Sequence, residues 1–208
     1  MEIAIPTKRF IRREVHRPET QELIYQAAVK LFCERGYHAT SIRDIAAAVG
    51  IQPATIYYYF GNKEAVLFTI MERGLLELIK MQDTVLCKND NPIEQLREMV
   101  RTHVRFHCER PLEAFVADNE LRALSGELHA QILEYRDQYQ ATFRRVMEDG
   151  VRQGVFSVPD VHVTTNMLLV MSTGAVTWYR PDGRLPLEEI ADIHATLALK
   201  EVIVLPQK

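Results

Sequence analysis

Two histidines on one predicted helix have a spacing that suits metal chemistry. His103 and His107 are four residues apart, so they share a helix face, and Cys108 follows directly. Imidazole and thiolate groups are the usual ligands of zinc. Cys108, however, lies about 100° around the helix from His107, and no acidic or thiol residue completes a site on that face. We therefore predict no metal site and interpret both histidines as residues that line a pocket or the surface.

Patterns that indicate catalysis are missing from the sequence. It has no Gly-x-Ser-x-Gly nucleophile elbow, no glycine-rich phosphate-binding loop and no paired metal-ligand motif. We therefore predict that the chain is not an enzyme and uses no cofactor. An all-helical enzyme acting on acyl or lipid substrates is the alternative, and turnover of a thioester would reveal it.

The elements that position polar residues are predicted to be helices throughout. The chain has 208 residues, 47% of them apolar, with no low-complexity segment, which favours a packed core. Apolar periodicity and the breaks at proline and glycine predict long helices at roughly 63–85, 93–109, 112–124, 127–153, 161–179 and 187–204. The fold class is therefore all-α. No apolar run reaches the roughly 18 residues that span a bilayer, and no secretory signal is recognisable, so we expect a cytoplasmic protein without a membrane partner.

The first third of the chain predicts a three-helix unit of the helix-turn-helix type. A long helix opens at Pro18 and ends at Gly36, and a capping box of Ser41 and Asp44 precedes a helix of about eight residues. Gly50 separates that helix from a second short one. The second short helix of such a unit fits a DNA major groove about 12 Å wide, with its first residues against base edges.

Several motifs in this unit closely resemble the DNA-binding head of TetR-family repressors. They stand in one order and spacing at residues 31–37 (LFCERGY), 40–46 (TSIRDIA), 49–51 (VGI) and 55–64 (TIYYYFGNKE). The resemblance runs almost unbroken over residues 20–68. It implies an N-terminal three-helix helix-turn-helix head and a larger C-terminal helical domain for ligand binding and dimerisation. We assign residues 1–17 to a basic flexible arm, 18–62 to the DNA-binding domain and 63–208 to the second domain.

The resemblance also implies which residues contact DNA, and their chemistry agrees. Gln52, Ala54 and Thr55 offer a carboxamide, a methyl and a hydroxyl to base edges. The rings of Tyr57 and Tyr58 suit phosphate oxygens or thymine methyls. The full predicted set is Thr40, Ser41, Arg43, Gln52, Ala54, Thr55, Tyr57, Tyr58, Tyr59 and Lys63.

Five members of that set need separate comment. Lys63 begins the next helix, where its ammonium and the free N–H groups both favour a phosphate, and Thr40, Ser41 and Arg43 would hold the opposite phosphate wall. Tyr59 stands where the family frequently has histidine, so its base contact stays open. Three successive tyrosines span about 200° of a helix, so at least one must face outward.

The charge is divided unevenly along the chain. Residues 1–63 carry nine Lys/Arg and six Asp/Glu, a balance of +3, whereas residues 64–208 carry sixteen and twenty-two, a balance of −6. A basic head on an acidic body predicts that only the head meets a polyanion. The basic stretch 8–17 suits an arm that enters the minor groove, and a solubilising tail is the open alternative.

The last two helices carry wide apolar stripes that suit a dimer face. The first stripe consists of Val163, Met167, Leu168, Val170, Met171 and Val176, and the second of Leu187, Ile190, Ile193, Leu197, Val202 and Ile203. TetR-like proteins usually pair their final two long helices into a four-helix bundle, which implies a homodimer here. The alternative is that both stripes are core of a single chain.

An effector pocket is implied by the resemblance but only loosely located. The predicted ligand-binding residues are Phe106, Phe115, Arg122, Tyr135, Tyr139, Phe143, Met171, Trp178 and Arg180. Residues 118–124 (DNELRAL) and 177–183 (TWYRPDG) resemble a TetR subgroup that includes regulators of lipid and steroid catabolism, some of which sense acyl-coenzyme A thioesters. That implies an elongated apolar pocket with arginines near its mouth. Aromatic residues at helical spacing are also typical of core.

Together these patterns predict a ligand-responsive transcriptional repressor. It would bind palindromic operator double-stranded DNA as a homodimer and be released by a small apolar effector, an acyl-CoA in the subgroup that it resembles. The helix at residues 63–85 is the natural lever between head and pocket. A helical adaptor without DNA affinity is a further alternative, but it leaves the basic, capped head unexplained.

Overall fold

The computed structural model describes residues 18–204, and most of them belong to helices. These are α1 (Pro18–Arg35), α2 (Ile42–Val49), α3 (Pro53–Phe60), α4 (Lys63–Lys88), α5 (Pro92–Glu109), α6 (Pro111–Asn119), a 3-10 turn (Leu121–Ala123), α7 (Gly126–Arg152), α8 (Val161–Thr173), α9 (Ala175–Trp178) and α10 (Leu187–Val202). Within the same residues the only extended pairing is one antiparallel bridge between Phe156 and Ile203. The all-α prediction is confirmed. The predicted arm, residues 1–17, lies outside the described residues.

Local signals fix the helices of the head. The backbone of Gly36 has φ 82°, so α1 ends in the left-handed conformation that glycine tolerates best. At α2, the amide of Asp44 donates to Ser41 Oγ at 3.2 Å and the amide of Ser41 donates to Asp44 Oδ2 at 2.8 Å. The predicted capping box is therefore confirmed. Asn62 caps α4 by accepting the Ala65 amide at 2.7 Å.

The hydrophobic core of the head extends beyond residue 62, the last residue that we assigned to the DNA-binding domain. Ile42, Ile45 and Ile56 are buried, and Ile51 and Phe60 pack at the edge. The same cluster continues into the first half of α4 and into the body, through Val66, Leu67, Ile70, Met71, Val116, Leu124 and Ile132. Because a buried side chain of this size stabilises by about 1.5–3 kcal/mol, the shared cluster joins head and body firmly.

A second core lies among the second half of α4 and helices α5, α7, α8 and α10. Helix α10 packs along α5. From the predicted stripes, Leu168, Ile190 and Val202 are buried in this core, so the stripes are partly intramolecular. Across residues 18–204, no helix combines the length and apolarity needed to cross a membrane.

Two helices are shorter than predicted. The helix predicted at 161–179 ends at Thr173, and α9 follows Gly174 as a separate turn. The helix predicted at 112–124 ends at Asn119 and is replaced by the 3-10 turn. Neither break involves a proline, and apolar periodicity alone continues through both, which is why the sequence did not separate them.

Candidate nucleic-acid interface and ligand cavity

The first turn of α3 is largely exposed to solvent. Ile56 is fully buried and anchors the helix, whereas Gln52 and Ala54 are exposed and Thr55 is half-buried. Gln52 occupies the N-cap position without a side-chain capping bond, so its carboxamide is not used to hold the helix. This turn therefore presents the three predicted base-contact side chains at one end of a short helix.

The tyrosine triplet divides between surface and core. Tyr57 is 52% exposed and Tyr58 is 58% exposed, while Tyr59 is half-buried against the head core. The rings of Tyr58 and Tyr59 meet edge to face with centroids 5.4 Å apart. The helical period places successive side chains about 100° apart, so one ring turns inward while two stay on the outer face.

The residues predicted to hold the opposite phosphates, Thr40, Ser41 and Arg43, are only partly exposed. Ser41 and Arg43 lie at the surface, at the start of α2. Thr40 is 1% exposed, and its hydroxyl lies 3.2 Å from the carbonyl oxygen of Leu31 and 2.9 Å from that of Gly36. Thr40 therefore closes the C-terminal end of α1, and we remove it from the predicted contact set. The sequence could not separate it from Ser41 because both residues suit a helix cap.

Lys63 has a structural role that the sequence did not predict. Its Nζ donates to the carbonyl oxygens of Tyr37 and Thr40, each at 2.9 Å, and lies 4.0 Å from the centroid of the Tyr37 ring. Partial burial lowers the pKa of Lys63 from its ordinary value. An ammonium has three hydrogens, so the two carbonyl oxygens leave one that they do not use.

Two further contacts tie the head to the body. Glu120, beside the 3-10 turn, accepts the backbone amide of Tyr37 at 3.0 Å through Oε1. Glu64, in the first turn of α4, accepts the amide of Ser125 at 2.7 Å and its hydroxyl at 2.9 Å. These contacts span 83 and 61 residues of sequence, and no local signal predicts them.

A cavity of about 320 Å³ lies between α4, α5, α6, α7 and α8. Its wall is mostly apolar, and α4 contributes Ile70, Met71, Gly74, Leu75 and Leu78. The volume is at the lower end of the range for small-molecule sites, about 300–1,000 Å³. The same helix, α4, also packs in the head core, so it contacts both regions.

One end of the cavity holds buried neutral polar groups. His103 Nδ1 lies 2.8 Å from the Tyr139 hydroxyl, and His103 Nε2 lies 2.8 Å from Thr173 Oγ1. His107 Nδ1 lies 2.8 Å from the carbonyl oxygen of His103. Burial lowers the pKa of both histidines and raises that of Tyr139, so all three side chains are uncharged near neutral pH.

Acidic and basic residues lie at the more exposed end of the cavity. Arg136 donates through Nη2 to the carbonyl oxygen of Ala117 at 2.7 Å and is 3.9 Å from the carboxylate of Asp118. Glu113 is on the same helix as Asp118 and also lines the space. In the part of the chain that the structure describes, no group of three or more His, Cys, Asp or Glu residues is arranged to hold a metal ion.

The structure distributes the nine predicted ligand residues over several places. Phe106 and Tyr139 line the cavity. Phe115 is 46% exposed, Phe143 is buried in the body core, and the Tyr135 hydroxyl lies 3.3 Å from Glu72 at the outer side of α4. Arg122 and Met171 do not line the cavity, and Trp178 and Arg180 line a different groove between α9 and α10.

For the misplaced residues that stand on the cavity helices the reason is the helical period, whereas Arg122, Trp178 and Arg180 lie outside those helices. Ala114 lines the cavity, and the next residue, Phe115, is turned about 100° away from it. Pocket residues that the sequence missed include the polar pair Gln140 and Asn166, in which Gln140 Nε2 donates to Asn166 Oδ1. Neither has a sequence signal, because both face the space only through the packing of α7 against α8.

The last helices expose an apolar face. Val163, Met167 and Val170 of α8 are 64%, 47% and 72% exposed, and Ile193 and Leu197 of α10 are also exposed. Trp178 lies beside them and stacks on His194 with ring centroids 6.1 Å apart. These six residues, Val163, Met167, Val170, Trp178, Ile193 and Leu197, are called the C-terminal apolar face below.

Comparison with known proteins agrees with this architecture. Residues 24–70 match the family model described as bacterial regulatory proteins, tetR family, and residues 89–202 match the tetracyclin repressor-like C-terminal domain. The HTH-type transcriptional repressor KstR2 of Rhodococcus jostii (strain RHA1) is 28% identical over 174 residues, 83% of this chain and 85% of that protein.

Two solved structures are similar over most of the chain. The TetR family transcriptional regulator PfmR from Thermus thermophilus is 33% identical with a TM-score of 0.78, covering 85% of this chain and 97% of that one. AibR, solved in complex with isovaleryl coenzyme A and operator DNA, is 30% identical with a TM-score of 0.77, covering 85% and 96%. The second family model alone spans more than half of the chain. The protein therefore belongs to the TetR family of helix-turn-helix transcriptional repressors.

Proposed function

We propose that this repressor binds palindromic operator DNA as a homodimer and is released by a small, largely apolar effector. The observation that carries the proposal is the outward first turn of α3, with Gln52, Ala54 and Thr55 at its start and Tyr57 and Tyr58 exposed behind them. Side chains at this end of a recognition helix reach base edges when the helix enters a major groove.

A homodimer is supported by the C-terminal apolar face. One head covers only a few base pairs, so a specific operator requires two heads about 34–36 Å apart. The face lies on α8, α9 and α10, away from the helices of the head, and contains six exposed apolar side chains. Exposed apolar patches rimmed by polar residues are typical of protein interfaces. We assign this face to a second copy of the chain.

The effector we propose is an acyl-CoA thioester. The proposal rests on the resemblance of residues 118–124 and 177–183 to the lipid-responsive subgroup and on AibR, whose structure contains isovaleryl coenzyme A. A cavity of about 320 Å³ has room for a short acyl group. The nucleotide part is charged and would lie outside, where Arg136 is the arginine at the more exposed end.

Release of DNA follows from the dual position of α4. Ile70 and Met71 belong to the head core and also line the cavity, and Gly74, Leu75 and Leu78 continue the cavity wall. An effector that alters this wall changes the support of the head. Because a ligand shifts an equilibrium only through its different affinities for the two states, the thioester must favour the released state by a few kcal/mol.

Selection of bound fragments from random duplex DNA tests the proposal. We expect an inverted repeat to be enriched and a suitable acyl-CoA to release it. The Thr55→Ala variant should shift the preferred base within the half-site, whereas Thr142→Ala, on α7 away from the head, should leave it unchanged. Failure to enrich any sequence would contradict operator binding, and turnover of the thioester would favour the enzyme alternative.

A further inference from the structure

We propose that His107 selects the effector: the buried end of the ligand carries an uncharged hydrogen-bond donor, a hydroxyl, which His107 Nε2 accepts. The inference rests on the proposed function, because it concerns the effector that fills the cavity between α4 and α8. It narrows that effector from acyl thioesters in general to hydroxyacyl thioesters.

The backbone of α5 fixes the tautomer of His107. Its Nδ1 lies 2.8 Å from the carbonyl oxygen of His103, and a carbonyl oxygen can only accept, so Nδ1 must carry the hydrogen. Burial lowers the pKa of His107, which keeps the ring neutral near pH 7. In a neutral ring with a protonated Nδ1, the other nitrogen has a lone pair. Nε2 is therefore an acceptor.

That acceptor has no partner within residues 18–204. His107 lines the cavity and is 9% exposed, and its Nε2 makes no hydrogen bond to any described group. Three other side-chain atoms within residues 18–204 also lack a hydrogen-bond partner, but unlike His107 Nε2 they are sealed from solvent: Gln82 Oε1, Arg110 Nη1 and His194 Nδ1. An acceptor in the wall of a mostly apolar cavity is stabilised when it is paired, so a ligand that donates to Nε2 satisfies a group that the protein leaves unpaired.

Neighbouring groups exclude His103 as the partner of the ligand and exclude a charged donor on the ligand. Both nitrogens of His103 are already bonded, to Tyr139 and Thr173, so His103 is not available to the ligand. The acidic and basic residues Glu113, Asp118 and Arg136 are more exposed than the two histidines. Among the charged side chains, the exposed carboxylate of Asp118 acts on His107, and burial still outweighs it in lowering the pKa of the ring. An anionic ligand group beside Nε2 would be repelled by this carboxylate, and a cationic one would lose more hydration than an exposed carboxylate restores. The donor is therefore uncharged.

Acyl groups that differ only in the group placed at His107 Nε2 should differ in affinity, and a hydroxyl should bind best. A saturated acyl group leaves Nε2 unpaired, and a keto group places an acceptor against an acceptor. A hydroxyl donates to Nε2 and can still accept from another group. One neutral hydrogen bond corresponds to about a fivefold to tenfold difference in affinity.

The test uses acyl-CoA thioesters of one chain length that have a hydroxyl, a keto group or only hydrogen at the same carbon. Their potency in releasing operator DNA is measured with the full chain and with His107→Phe, with His129→Phe on α7 as a control outside the cavity wall. We expect the best hydroxyl compound to be about fivefold to tenfold more potent than its two analogues. That ratio should fall to within about twofold in His107→Phe and persist in His129→Phe.

A second measurement keeps the inference testable if His107→Phe folds poorly. Long-range 1H–15N NMR of the unsubstituted protein should give His107 a protonated Nδ1 and an unprotonated Nε2 whose resonance shifts on addition of the hydroxyl compound. Equal potency of hydroxyl and saturated thioesters, or a protonated Nε2 in the free protein, overturns the role of His107 but leaves the proposed effector class intact. Failure of every thioester to release DNA overturns the proposed effector class and the inference together.

Discussion

Replacing Lys63 with methionine tests both of its roles in the head. Methionine retains the length of the stem but removes the ammonium, and with it two hydrogen bonds to the carbonyl oxygens of Tyr37 and Thr40 at 2.9 Å. The contact with the Tyr37 ring, 4.0 Å from its centroid, is lost as well. Lys63→Met should therefore destabilise the segment between α1 and α2 and also weaken DNA binding.

The expected loss of stability is about 2.5 kcal/mol. A hydrogen bond from a charged donor is worth about 1.5–3 kcal/mol when it is shielded from water, and we take about 1 kcal/mol each because Lys63 is half-exposed. The cation–π contact adds about 0.5 kcal/mol at such a site. If the third hydrogen of the ammonium meets a phosphate, the slope of log K against log salt should also fall by about 0.9 per head.

Urea unfolding and salt titration of operator binding measure the two effects independently. Lys30→Met is the matched control, because Lys30 is an exposed residue of α1 whose ion pair with Glu34 is 3.9 Å long and open to solvent. It should change the free energy of unfolding by less than about 0.5 kcal/mol. An unchanged stability of Lys63→Met would refute the structural role, and an unchanged salt slope would refute the phosphate contact.

Three further predictions concern the rest of the molecule. The pKa values of His103 and His107 in the folded protein lie below 6.5, so below about pH 6.5 the unfolded chain binds protons that the folded chain does not. The free energy of urea unfolding should therefore be higher at pH 7.5 and should fall by up to about 1.4 kcal/mol per pH unit per histidine on acidification. Val170→Glu, at a position that is 72% exposed, should yield a monomer in sedimentation and weaken operator binding, whereas a persistent dimer would contradict the assigned face. Deletion of residues 1–17, which contain five Lys/Arg and two Asp/Glu, should lower the salt slope but retain the selected sequence, and an unchanged slope would exclude the arm from DNA.

The helices of the head were predictable because their signals are local. The capping box of Ser41 and Asp44 and the glycine at position 36 act within a few residues, and the structure contains both. The division of the tyrosines follows from the helical period alone. Thr40 is the exception, since its burial depends on the approach of α1, which a cap pattern does not encode.

The cavity was less predictable because it depends on how distant helices pack. Phe106 and Tyr139 were identified by residue type, but so was Phe143, which packs edge to face on His103 from within the core. In the sequence, aromatic residues that line a cavity have the same helical spacing as those that pack in the core. The tie from Glu120 to the Tyr37 amide joins residues 83 apart, so it too required the three-dimensional arrangement.

The central claim is that the first turn of α3 enters the major groove of the operator. Photo-crosslinking tests it most directly, with p-benzoylphenylalanine introduced at Ala54 and, as a control, at the exposed Leu133 of α7. We expect the probe at position 54 to crosslink to bases of the operator half-site and the probe at position 133 to give no crosslink. No crosslink from position 54 in a complex that still binds the operator, or crosslinks only from position 133, would contradict the account.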